Sequence, residues 1–276
     1  ILWVTYYRNL YNATHPSEIN SPVSLSRNLL AWNQPGTNGL ILPVNPSASF
    51  LSILFANELW FTLGDMTMAE HCAMLSMIFS PRNSGSRMIK RLAEINLVNG
   101  DDEAALKYLR ILDKTLLHKS WAEKRIPGQQ TPRVKEWLEK KRRDIPTQDQ
   151  LRSGNDAVTS LQNLVASNAG NLRAYEYLLC YHLLSKDLRS FVEDYVPGKV
   201  SSPIFAEALL IHLARQGNIR AEELIKYQIP VEIAKEFADY TRLYEAKDTS
   251  LKEKYGKTYW FYYHFATTEP GKESKP

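Results

Sequence analysis

The sequence predicts an all-α protein in which short helices lie in pairs. The 276-residue chain almost lacks strict alternation of polar and apolar residues, which argues against a sheet. A Gly-Asp dipeptide interrupts two apolar helical stretches, at Gly64-Asp65 and at Gly100-Asp101. The two glycines are 36 positions apart, counting from 64 to 100, close to the ~34-residue period of tetratricopeptide repeats. We therefore expect an α/α superhelix of tetratricopeptide-like helix pairs, a right-handed solenoid.

The residues around the two turns have a common physical explanation. Glycine ends the first helix because it adopts a positive φ without strain, and the following Asp caps the next helix. Ala69 and Ala105 stand at the same distance after the turns, where a small side chain lets two helices approach closely. Weaker copies occur at Lys186-Asp187 and around Gly217. The alternative is an irregular helical bundle with coincidental turns.

The remaining elements follow from apolar periodicity and from Gly and Pro breaks. We expect a short helix over residues 1–12 and a Pro/Gly-rich loop to residue 49, with one helix around residues 25–32. Paired helices follow over 50–80 and 85–118, and Pro81 stands after the second helix of the first pair. Later helices are expected over 131–143, 156–168, 171–184, 187–195, 203–216, 219–226 and 230–246.

These elements suggest five regions. They are an N-terminal segment 1–49, a first repeat block 50–130, a charged helix and linker 131–155, a second block 156–266, and a mobile polar tail 267–276. Residues 119–155 fit no repeat, so the solenoid is interrupted there, either by an insertion or by a break into two blocks. The aromatic run Tyr259–Phe265 would close the stack and be buried; the alternative is an exposed patch for a partner or a membrane surface.

Composition excludes several classes of protein. A net charge of +4 is too small for a nucleic-acid binder, and the basic run from Lys135 to Arg143 is interleaved with glutamates, typical of a solvated helix face. Cys72 and Cys180 lie in apolar patterns that suit buried thiols, although a disulfide in an oxidising compartment is the alternative. No apolar run reaches membrane-spanning length. Because the chain begins at Ile1, we expect it to be part of a longer protein.

The sequence contains no motif for catalysis or for a cofactor. It lacks HExxH, GxxxxGK[ST], GxGxxG after a strand and GxSxG, so we expect no metal, no cofactor and no enzymatic activity. Cys180 and His182 come nearest to a metal or thiol site, but their spacing points them to different helix faces. Paired acids such as Asp101-Asp102 stand at helix starts, where the helix dipole accounts for them.

The candidate binding residues are charged side chains on the first helix of each pair, which lines the concave face of such solenoids. They could clamp the backbone, a terminus or a charged side chain of a peptide. An ordinary solvated surface is the alternative interpretation. The predicted groove residues are Glu58, Lys90, Glu94, Arg173, Glu176 and Glu207.

Three stretches have a distinctive sequence: Tyr175-Glu176-Tyr177-Leu178-Leu179 continuing to Leu188, Lys90-Arg91-Leu92-Ala93-Glu94 continuing to Arg110, and Lys257–Phe265. They resemble a family of uncharacterised membrane proteins from gut bacteria, catalogued as a domain of unknown function. The resemblance covers most of residues 40–265. It implies a soluble C-terminal, tetratricopeptide-like part that follows a group of transmembrane helices, and it brings no catalytic motif.

We expect a non-catalytic scaffold that binds a peptide or protein partner. It would be the soluble domain of a protein anchored in the bacterial inner membrane through a segment outside this chain. The alternative is a soluble module that binds a glycan or lipid-linked precursor for a membrane enzyme or transporter. A self-contained α/α enzyme is a third reading, which requires paired acids facing one cavity.

Overall fold

The computed structural model describes residues 50–79, 81–147 and 157–265, and these contain 14 helices and no strand. The all-α prediction is therefore confirmed for this part of the chain. The expectations for residues 1–49, for part of the linker and for the tail lie outside the described residues. The helices are α1 Phe50–Leu63, α2 Met66–Phe79, α3 Pro81–Asn99, α4 Asp102–Asp113, α5 Lys119–Glu123, α6 Pro132–Arg142, α7 Ala157–Ser167, α8 Leu172–Leu184, α9 Leu188–Asp194, α10 Pro203–Arg215, α11 Ala221–Lys226, α12 Val231–Glu245, α13 Leu251–Tyr255 and α14 Tyr259–Phe265.

The described residues divide into two compact units. The first unit holds the described residues from 50 to 175 and the second those from 176 to 265, so the division falls within α8. In the first unit, α1 packs on α2, α2 on α3, α3 on α4 and α6, and α4 on α5. In the second unit, α10 packs against α9, α12 and α14, and α13 joins α12 to α14.

The two Gly-Asp turns have the same geometry. Gly64 and Gly100 have φ of +90° and +83°, and the next N–H, from Asp65 or Asp101, donates to a carbonyl five residues earlier at 2.9 Å. Each Asp then accepts an N–H three residues later, from Met68 or Ala104, also at 2.9 Å. A residue in the left-handed region thus closes one helix while a carboxylate caps the next, as the sequence predicts.

Four further turns repeat the backbone part of this arrangement, and three of them have no glycine at the position of positive φ. Lys186 and Gly217, the weaker copies in the sequence, adopt φ of +56° and +65° and precede the same backbone bond. Gln228 and Lys247 do so as well, with φ of +54° and +52°. The helix-ending turn is therefore a recurring element in both units.

The small residue after each Gly-Asp turn is fully buried. Ala69 and Ala105 are both 0% exposed. The buried Asn57 of α1 donates its Nδ2–H to the Ala69 carbonyl at 2.8 Å, which links α1 to α2. Tight packing at these alanines agrees with their predicted role.

Two short helices, one helix start and one helix end differ from the expectation. Helix α4 ends at Asp113, five residues before the predicted position 118. Helices α5 and α13 have five residues each, too short for apolar periodicity to reveal them. Pro81 is the first residue of α3, not a residue between two helices. Proline is favoured at this position because the N–H that it lacks would have no intrahelical partner.

The aromatic run near the end of the chain is largely buried, as predicted. Tyr259, Trp260 and Tyr262 of α14 are each at most 1% exposed. The Trp260 indole N–H donates to the Glu207 carbonyl on α10 at 2.9 Å. The Tyr240 hydroxyl on α12 donates to the Trp260 carbonyl at 3.1 Å. Helix α14 therefore completes the core of the second unit.

A candidate charged-aromatic site in the first unit

Helix α6 directs basic side chains at the carbonyl ends of two other helices. Arg142 donates from Nε to the Val98 carbonyl at 3.0 Å and from Nη2 to the Leu97 carbonyl at 2.8 Å. Lys141 Nζ lies 3.3 Å from the Phe61 carbonyl at the end of α1. The last carbonyls of a helix lack intrahelical donors and carry partial negative charge, so cations stabilise them. The solvated-face interpretation therefore fails only for Lys141, which is half-buried, whereas Lys135, Lys140, Arg142 and Arg143 are exposed as expected.

Arg91 of α3 organises the centre of this region. Its guanidinium donates to Asn57 Oδ1 at 3.1 Å, to Glu58 at 2.5 Å and to Glu94 at 3.1 Å. It also lies 3.7 Å from the centroid of the Phe61 ring. The side chain is only 9% exposed, so its charge needs these two carboxylates as compensation.

Two cations lie against the ring of Trp121 in α5. The Arg125 guanidinium is 4.0 Å and the Lys90 ammonium 5.1 Å from the ring centroid. Arg125 Nη1 donates to the Trp121 carbonyl at 3.2 Å, whereas its buried Nε–H has no acceptor among the described residues. Burial lowers the pKa of Arg125, and the charge of Glu94 opposes that shift. The guanidinium therefore packs on Trp121, and its Nε–H makes no hydrogen bond within the described residues.

Several charged groups of this region act on the pKa of Glu94. Burial raises the pKa of Glu94, while Arg91, Arg125 and Lys141 lower it by their positive charge. Burial also lowers the pKa of Lys141 to about 8, with Arg173 and Arg91 adding to the shift and Asp144 and Glu94 opposing it. We call Glu58, Lys90, Arg91, Glu94 and Arg125, with the rings of Phe61 and Trp121, the charged-aromatic site.

Four of the six predicted groove residues lie in the first unit. Glu58 and Glu94 meet through Arg91, and Lys90 lies on Trp121. Arg173 donates to the Thr62 carbonyl at 3.2 Å and is 4.0 Å from an Asp144 oxygen, so it serves the end of α1. Arg173 therefore borders the charged-aromatic site and does not belong to it.

The other two predicted groove residues, Glu176 and Glu207, lie in the second unit. The Glu207 carboxylate accepts the Tyr259 N–H at 2.5 Å and so anchors the start of α14.

Sequence reasoning missed four members of the site: Phe61, Arg91, Trp121 and Arg125. Arg91 stands three residues before Glu94, which is ion-pair spacing on one helix face. Trp121 and Arg125 have the matching spacing of four. For Trp121 and Arg125 this spacing lies in residues 119–155, which fit no repeat and which the sequence predicts to be an interruption of the solenoid.

The residues that come nearest to a metal or thiol site are His182 and the two cysteines, and their contacts are typical of a structural role. His182 Nε2 lies 2.9 Å from Asp194 Oδ2, and the imidazole is buried. Both cysteines are free and buried, and burial raises the pKa of Cys72 to about 11. Over the described ranges, no three His, Cys, Asp or Glu side chains are grouped so that they could hold a metal ion.

Comparison with known proteins identifies the family. Residues 24–266 match the model of a family described as a family of unknown function (DUF6057). The chain belongs to this family. No curated protein and no solved structure matches the chain. Among the helices of the described residues, none is both long enough and apolar enough to cross a bilayer.

Proposed function

We propose that this chain is a non-catalytic interaction domain that binds a peptide or protein partner at the charged-aromatic site. The proposal rests on the contacts that Arg125 makes and on the donor that it leaves without an acceptor. Its buried Nε–H has no acceptor in the described part of the chain, and it lies with Lys90 against one tryptophan. A buried donor without an acceptor is unfavourable by about 1–3 kcal/mol. The Nε–H itself is shielded from outside, but Arg125 as a whole is only half-buried, so its Nη groups can donate to a carbonyl or carboxylate of a partner.

The chemistry of the site suits a peptide. Lys90 and Arg125 supply donors, Glu58 and Glu94 supply acceptors, and Trp121 supplies apolar surface next to them. A peptide offers both backbone donors and acceptors, and Trp and Arg are enriched among residues that dominate binding energy. This mixture favours a peptide over a glycan, because two cations already occupy space against the Trp121 ring.

We further propose that the helix pairs form a tetratricopeptide-like superhelix. The repeated turn at Gly64 and Gly100 and the fully buried alanines that follow support it. The resemblance to a gut-bacterial membrane family supports attachment to the bacterial inner membrane through a segment outside this chain. That attachment requires membrane-spanning helices elsewhere in the full-length protein.

Selection of peptides from a displayed random library on the immobilised chain tests the binding function. We expect the selected peptides to lose about tenfold or more in affinity when Lys90→Gln or Arg125→Gln removes a charged donor, since such a hydrogen bond contributes about 1.5–3 kcal/mol. Affinity is measured by fluorescence anisotropy with a labelled peptide.

The matched controls are Lys107→Gln and Lys124→Gln, which remove one positive charge from exposed positions in α4 and just after α5. Circular dichroism melting verifies that every variant is folded. The proposal fails if no peptide is enriched above an empty support, or if the two site variants bind the selected peptides as tightly as the two controls.

A further inference from the structure

The connection from α4 to α5 presents two leucines to solvent. Leu116 is 98% and Leu117 86% exposed, which makes them the most exposed large apolar side chains of the described residues. Ile111, in the last turn of α4, is 49% exposed. Isolated exposed leucines are ordinary, but two adjacent ones that are almost fully exposed form an apolar surface whose removal from water is favourable.

The backbone around these leucines is held in place. The Thr115 N–H and hydroxyl both donate to the Leu112 carbonyl, at 2.9 and 2.7 Å, and the Thr115 carbonyl accepts the Lys119 N–H at 3.1 Å. On either side, Leu112 and Ala122 are 0% exposed and pack in one core cluster. The leucines therefore project from a fixed turn whose two ends are anchored in the core.

The charges around the turn have a positive excess. Lys114 and Lys119 each stand two residues from the nearer leucine, and Arg110 and Lys124 stand four and five residues further along the chain. The acidic groups of the same segment are Asp113 and Glu123, and Glu123 is 4.0 Å from Lys119 in an exposed ion pair. Such a pair is weak, so it leaves most of the lysine's charge free to act on a partner.

We propose that this turn, which we call the leucine turn (Lys114 to Lys119), contacts the surface of an anionic lipid bilayer. Leu116 and Leu117 enter the boundary between headgroups and acyl chains, and the surrounding lysines and arginine lie against anionic headgroups. Positive charge around an apolar tip is the combination that such a surface attracts. This contact is independent of the proposed peptide binding and adds to any anchor outside the chain.

Co-sedimentation of the full chain with vesicles tests the proposal. We expect the chain to bind vesicles that contain phosphatidylglycerol in phosphatidylcholine, and to bind phosphatidylcholine vesicles much more weakly. The double substitution Leu116→Ser with Leu117→Ser should reduce the partition coefficient about tenfold or more, because it removes the apolar contribution. Lys114→Gln with Lys119→Gln should reduce binding to the anionic vesicles alone.

Ile225→Ser is the matched control, since Ile225 is 77% exposed in α11 of the second unit. It should leave vesicle binding unchanged. These side chains are exposed, so the variants should melt at the same temperature as the parent chain. The proposal is overturned if the parent chain does not bind the anionic vesicles, if the double leucine variant binds them equally well, or if light scattering shows that the leucines instead join two copies of the chain.

Discussion

Burial and a hydrogen bond shift the pKa of Glu207 in opposite directions. It accepts the Tyr259 N–H, a bond that favours the charged form. Its burial disfavours the charged form more strongly and raises the pKa of Glu207 to about 7, and the nearby charge of Glu236 adds to the shift. The carboxyl that anchors the start of α14 therefore changes charge close to neutral pH.

This shift predicts a pH-dependent stability. Because the folded-state pKa of Glu207 lies above its ordinary value, folding favours the protonated form, and the free energy of unfolding should fall as pH rises from about 4.5 through about 7. Glu207→Gln keeps an oxygen acceptor for Tyr259 but cannot ionise, so this decline should be smaller by about 1–3 kcal/mol. Denaturant titrations at several pH values measure it, and identical pH profiles for the two proteins would contradict the assignment.

The local sequence does not predict the contacts that Lys141 and Arg142 make with other helices. Their spacing and the glutamates around them are typical of a solvated face, and the sequence correctly predicts the helix that carries them. What places both side chains against carbonyl groups is the end of α1 near one and the end of α3 near the other. These contacts depend on the tertiary structure, so the local sequence pattern does not predict them.

At the scale of elements, the turns were the most predictable feature. Glycine and aspartate report directly on a positive φ and on a helix cap, so the sequence locates the bends at Gly64 and Gly100. Lys186 was recognisable only through the Asp187 cap that follows it. Gln228 adopts the same backbone without a characteristic residue, so its turn gave no signal. Lys247 precedes Asp248, the same dipeptide as Lys186-Asp187, so a signal was present there and was missed.

The two Gly-Asp turns allow a paired test of that physical account. Alanine at either glycine meets the cost of a left-handed backbone, about 1–2 kcal/mol. At Gly100 the added Cβ meets open space, whereas at Gly64 it would lie 2.2 Å from the Asp144 carbonyl oxygen. We therefore expect Gly100→Ala to lower the free energy of unfolding by about 1–2 kcal/mol, and Gly64→Ala to lower it by about 1–3 kcal/mol more.

Urea denaturation of the two variants beside the parent chain measures the difference. Equal losses of stability would show that residue 144 does not approach the first turn as the structure describes. A gain in stability for Gly100→Ala would contradict the positive φ at that position.

At the scale of the whole molecule, the sequence predicted the helices better than the site. Apolar periodicity places most helix ends within one or two residues, because each helix buries one side against a neighbour that is close in the chain. The charged-aromatic site depends on α1, α3 and α5 meeting, and α5 lies in the segment that fits no repeat. Glu58, Lys90 and Glu94 were found because they occupy repeat positions, while Arg125 and Trp121 belong to the interruption itself.

Photo-crosslinking in cells that make the full-length protein tests the central claim most directly. A benzophenone amino acid in place of Trp121 would stand in the charged-aromatic site, and the same residue in place of Ile225 provides an exposed control in the second unit. The account predicts discrete adducts with one or a few proteins from position 121 and none of these from position 225. No protein adduct from position 121, or the same adducts from both positions, would contradict it.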